Sequence, residues 1–205
     1  IDGDLDKLIS DSHLGTIKPK NFIEKIKAFI SGPRHHLWMY DENSLNNQID
    51  LNNEFKRKDL KKKNLIFSKN IQEIKECNFF IICVPTPITN SKTPDLKYIN
   101  MSFTLLSKIL KKGDIIVLES TVYPGVTDIF AKKLERKTKL QNNYDFSTCY
   151  SPERINPGDK KNNLDKINKI LAYEGKNQKV RTLLKNVYKK ICRKLIFTNN
   201  IKEAE

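Results

Sequence analysis

The four cysteines of the sequence, Cys77, Cys83, Cys149 and Cys192, fall in no C-x-x-C spacing. They imply neither a metal site nor a disulfide framework, and Cys83 and Cys149 lie in apolar runs where a thiol serves as a small buried hydrophobe. His35 and His36 have no third ligand in view, so no metal is expected. No apolar run approaches the roughly 20 residues that a membrane span requires, and no basic, apolar and small-residue leader opens the sequence. The expectation is a soluble cytoplasmic protein with no membrane partner. Aromatic residues do not interleave with the basic ones, and apart from Lys56–Lys58 and Lys61–Lys63 the lysines are spread out. A net charge of +14 would suit a polyanion-binding protein, but this distribution argues against a nucleic-acid partner.

What is present suffices for one α/β domain, or one domain and part of another: 205 residues, 38% of them hydrophobic. Ile115 to Gly125 is the organising stretch, an apolar β-run that ends abruptly in Glu119, Ser120 and Thr121 before Pro124 and Gly125 stop it. In an open α/β sheet the carboxyl ends of the strands form the ligand crevice, so these side chains stand where a cofactor and a substrate could meet. An ordinary strand-to-helix turn with a capping hydroxyl is the competing reading.

Around that stretch, strands and helices alternate. The spacing of Phe22, Ile23, Ile26, Phe29 and Ile30 predicts a helix over 21–30, followed by a strand from His36 to Asp41 and another at Leu65–Phe67. Phe79–Val84 is a continuous apolar run of the kind found in central parallel strands. Thr93 and Pro94 predict an N-cap and first turn for a helix whose apolar face is Leu96, Ile99, Phe103, Leu106, Ile109 and Leu110, with Gly113 as its stop. A helix over 127–140, strands at 146–150, 170–173 and 195–198, a helix through Val180–Ile191 and a new helix from Ile201 complete the pattern. The expected fold is α/β: a doubly wound, mostly parallel Rossmann-like sheet with helices on both faces.

Three strings in order, CVPTPI at 83–88, ESTVYPG at 119–125 and YSPERINPGD at 150–159, resemble the nucleotide-sugar 6-dehydrogenase family, most closely the branch acting on UDP-N-acetylhexosamines. The resemblance implies an NAD-dependent enzyme that oxidises the C6 hydroxyl of a UDP-sugar to the uronic acid for surface polysaccharide biosynthesis, working as a homodimer or larger assembly. It implies an NAD-binding domain over 1–198, atypical over 1–35. Residues 199–205 would start a long helix leading to a substrate-binding region outside this sequence.

Gly15 would then belong to the phosphate-binding turn, where His13 and Lys18 replace the first and third glycines of the family pattern, and Asp41 would hydrogen-bond the adenosine ribose. Val84, Pro85, Thr86, Ser120 and Thr121 would line the cofactor, with Thr121 also catalytic. Glu153 would do acid/base work, and with Arg154 and Asn156 would face the substrate. The family's cysteine nucleophile has no counterpart among the four cysteines here. A catalytically inactive remnant or dinucleotide-binding module of the same family is the rival expectation.

Overall fold

The computed structural model describes residues 16–17, 28–30, 65–66, 70–84, 86–152 and 167–205. Its strands, in chain order, are β1 (Thr16–Ile17), β2 (Ala28–Ile30), β3 (Leu65–Ile66), β4 (Phe79–Ile82), β5 (Ile115–Leu118), β6 (Ser147–Tyr150), β7 (Asn168–Ala172) and β8 (Lys194–Thr198). They form one sheet in the order β3-β1-β2-β4-β5-β6-β7-β8. β2, β4, β5 and β6 run parallel to one another. β7 turns back antiparallel against β6 and is joined in parallel by β8. The helices are α1 (Lys97–Leu106), α2 (Val126–Thr138), α3 (Gln178–Tyr188) and α4 (Ile201–Ala204).

The two faces follow from the period of two along each strand. Phe79, Ile81, Ile115, Val117, Cys149, Leu171 and Tyr173 point to one side, where Leu184, Val187 and Tyr188 of α3 cover them. Phe80, Ile82, Ile116, Leu118, Tyr150 and Ala172 point to the other, against Ile99 and Phe103 of α1, Phe130 and Leu134 of α2, and Ile201 of α4. Every residue of β4 and β5 is buried, as their unbroken apolar runs require. Each such side chain contributes about 1.5–3 kcal/mol to the fold. The doubly wound sheet expected from the sequence is therefore present.

Three local expectations are overturned, the first being the stop at Gly113, since α1 ends at Leu106 with Ser107 as its C-cap. Ala28–Ile30, read as the end of a helix, is strand β2, paired in parallel with Phe79–Ile81. A short apolar run carries both periods at once, and the neighbouring central strand decides between them. Thr93 is not the N-cap of α1: that position is Leu96, and the first-turn amide of Lys97 donates to Asp95 Oδ1 at 2.8 Å. Pro94 pairs with Ile88 in an isolated bridge, and the Thr93 hydroxyl lies 2.7 Å from that of Thr89, so Thr93 closes the preceding loop instead. The expected strand at His36–Asp41 and the residues 1–15 lie outside the described residues.

Candidate functional site

The parallel register puts the ends of β4 and β5 side by side, Ile82 opposite Leu118. Val84, Thr86, Ser120 and Thr121 consequently gather at the carboxyl edge of the sheet, where an α/β fold binds its ligands. Val84 and Ser120 are buried, Thr86 is half-buried and Thr121 is exposed. The Ser120 hydroxyl accepts from the Val84 amide at 2.9 Å and donates to the Val84 carbonyl at 2.7 Å. That side chain joins two strand ends and fixes the backbone beside which Thr86 and Thr121 stand. After Thr121 the chain turns at Gly125, whose φ of 98° favours glycine, and enters α2. The free amides at the start of α2 are met from a distance: the Glu205 carboxylate accepts from Gly125 and, at 2.7 Å, from Thr127.

Glu119, the charge with which the organising strand ends, is not offered to a ligand. It is 6% exposed and paired at 2.7 Å with Lys169, itself 1% exposed. The Tyr188 hydroxyl donates to its other oxygen. Burial first, and then the adjoining Glu119 carboxylate, hold the Tyr188 phenol well above its ordinary range. Burial likewise raises the Cys149 thiol, and all four cysteines are buried.

Lys169 and Tyr188 were not singled out from the sequence. The signal for Lys169 was available: it shares the period-two face of Leu171 and Tyr173, so a charge was being folded into an apolar layer. Tyr188 reads from sequence only as part of an apolar helix stripe. Gly15, Asp41, Pro85, Glu153, Arg154 and Asn156 lie outside the described residues. Among the described residues no cluster of His, Cys, Asp or Glu could hold a metal, and no helix is long and apolar enough to cross a membrane.

A dinucleotide fits what is described of this edge. Hydroxyls of Thr86 and Thr121 stand at the strand ends, and the Glu119 charge is turned inward and matched by Lys169, so it does not oppose an anionic ligand. Sheet order and edge together define an α/β domain of the dinucleotide-binding type.

The sequence profile of the UDP-glucose/GDP-mannose dehydrogenase family, NAD binding domain, matches residues 46–192, and the chain belongs to that family, with NAD as its cofactor. It is 44% identical over 149 residues to UDP-N-acetyl-D-glucosamine 6-dehydrogenase of Salmonella typhi, which covers 72% of this chain and 35% of the relative. It is 35% identical over 170 residues to protein CapL of Staphylococcus aureus, covering 80% and 40%. The structure of UDP-D-ManNAc dehydrogenase from Pyrococcus horikoshii superposes with a TM-score of 0.73 at 22% identity, over 98% of this chain and 45% of that one, a likeness of fold. The chain thus spans less than half the length of these relatives. Gly15 and Asp41 precede the matched range.

Proposed function

We propose that this chain is the cofactor-binding portion of an NAD-dependent dehydrogenase that oxidises the C6 hydroxyl of a UDP-N-acetylhexosamine to the uronic acid, supplying surface polysaccharide synthesis in the cytoplasm. The observation that carries the reading is the 44% identity, across 72% of the chain, to a UDP-N-acetyl-D-glucosamine 6-dehydrogenase. Residues 1–198 form the NAD-binding domain in this reading. Residues 199–205 begin the helix toward the substrate-binding region, and the whole enzyme is a homodimer or larger.

Bound NAD supplies the hydride acceptor. The chain's own residues bind and orient: Val84, Pro85 and Thr86 pass beside the cofactor and Thr121 stands near its nicotinamide end, with Ser120 tying the backbone there to Val84, while Gly15 and Asp41 serve the phosphates and the adenosine ribose. Thr121, exposed at the edge, holds a water or the substrate hydroxyl. Glu153 takes and returns a proton, a role that needs a carboxylate within hydrogen-bond reach of the reacting oxygen. Arg154 and Asn156 face the sugar nucleotide.

Isothermal titration of the 205-residue chain with NAD tests the cofactor assignment. Saturable one-site binding is the expected result. Its absence would favour the rival, a family remnant that no longer takes up a dinucleotide.

A further inference from the structure

Gly125, the N-cap of α2, has no side chain to satisfy the free amides of that helix, and its φ of 98° is one that other residues rarely adopt. The cap comes instead from beyond α4: the Glu205 carboxylate accepts from the Gly125 amide and, at 2.7 Å, from the Thr127 amide, across 80 and 78 positions of chain. A neighbouring side chain could satisfy the same amides. It would not tie the turn before α2 to another element.

The element that supplies the carboxylate is itself held. The Asn200 side chain accepts from the Glu203 amide at 3.3 Å, the Ile201 amide donates to the Glu174 carboxylate at 3.0 Å, and the Glu205 amide donates to the Ile201 carbonyl at 3.0 Å. Ile201 and Ala204 are buried in the same apolar cluster as Val122 and Val126. Glu205 therefore reaches the turn from a fixed base. At the other end of the turn, Ser120 is bonded to both backbone groups of Val84. Only residues 121–124 lie between the two ties, with Val122 buried and Thr121 exposed. Releasing either tie gives back backbone freedom to the residues between them.

We infer that Glu205 is a positioning residue: by capping α2 it fixes the far end of the turn whose near end Ser120 holds, and so sets where Thr121 stands at the carboxyl edge of the sheet. This rests on the reading of Thr121 as a group that meets the cofactor and the substrate hydroxyl. Glu205 acts through the backbone of the turn and not on the reacting atoms.

The test is Glu205→Ala, with Asn177→Ala as its control. The Asn177 side chain caps α3 by accepting from the Lys179 and Val180 amides, and α3 covers the opposite face of the sheet from α2. Its loss is the same kind of lesion away from the turn. In the 205-residue chain, hydrogen exchange at the Gly125 amide should quicken at least about tenfold in Glu205→Ala and stay within about twofold in Asn177→Ala. In the whole enzyme, Glu205→Ala should lower kcat about tenfold with KM for NAD changed less than about twofold, while Asn177→Ala leaves both within about twofold. Glu205→Gln, which keeps an acceptor oxygen, should recover most of the lost turnover.

Unchanged exchange at Gly125 overturns the anchoring, whatever turnover does. Faster exchange with intact turnover, in an enzyme that Thr121→Ala slows, overturns the positioning. An equal loss of kcat in Asn177→Ala overturns it too, because the effect would then follow stability and not the turn. If Thr121→Ala leaves turnover intact, the reading of Thr121 fails and the positioning with it, while faster exchange at Gly125 still supports the anchor.

Discussion

The Ser120 hydroxyl is engaged twice by Val84, accepting from its amide at 2.9 Å and donating to its carbonyl at 2.7 Å, so the ends of β4 and β5 are joined through one side chain. Thr121, one position on, is exposed and takes no part in that joint.

Ser120→Ala should therefore lower stability by about 1–3 kcal/mol, because it leaves two buried backbone groups without partners. Thr121→Ala should stay within about 0.5 kcal/mol of the parent, as surface changes do. Urea unfolding of both variants measures the contrast. In the whole enzyme the proposal makes Thr121→Ala the one that lowers turnover at unchanged stability.

Glu205 caps α2 across the fold, accepting from the Gly125 and Thr127 amides. Glu205→Ala should lower stability by about 0.5–2 kcal/mol, the usual effect of removing an N-terminal cap. Glu205→Gln should lose less, since it keeps an acceptor oxygen. Equal losses in both variants would assign the effect to the charge and not to the hydrogen bonds.

Tyr188 sets an alkaline limit. Burial, reinforced by Glu119, holds its phenol well above the ordinary 10.0, so the folded chain keeps a proton that the unfolded chain releases. The folded state then binds more protons than the unfolded state, and stability must fall as pH rises past about 10. Unfolding free energies from about pH 9 to 11 should decline less steeply in Tyr188→Phe than in the parent. Parallel curves would show that other groups govern the alkaline limb.

No cysteine of this chain is available as a nucleophile. All four are buried, and burial raises the thiols of Cys149 and Cys192. A thiol reagent should modify the native protein slowly and all four sites in denaturant. The 205 residues alone should form no uronic acid from UDP-N-acetylglucosamine, because the proposed second oxidation needs a thiol to hold the aldehyde carbon. Uronic acid formation that disappears when one of these cysteines is replaced would reverse this assignment.

Much of the fold was legible because burial writes itself into hydrophobic period. The unbroken run Phe79–Val84 marked a central parallel strand and the apolar run from Ile115 a second strand, and β4 and β5 are both fully buried. The stripe through Leu184, Val187 and Tyr188 marked α3 as a covering helix. Residues 28–30 were misread because three apolar residues fit either period and only pairing with β4 chooses. Thr93 was misread because a cap depends on where the preceding loop closes, and the bridge between Ile88 and Pro94 closes it early.

The sequence by itself determined that strands alternate with helices, that Thr86 and Thr121 follow strands, and, through three strings, the family. Tertiary structure alone decided how the polar groups at the edge divide their work. Ser120 and Thr121 are adjacent hydroxyls, yet one is spent on Val84, 36 positions away, and the other faces outward. Glu119 looked like a charge presented to the crevice, but it meets Lys169 and Tyr188, 50 and 69 positions along the chain. Period assigns a side chain to a face; its partner on that face is set by strand order and by the antiparallel return of β7, which pairs Ala172 with Tyr150 and so carries Lys169, near its start, beyond the end of β6.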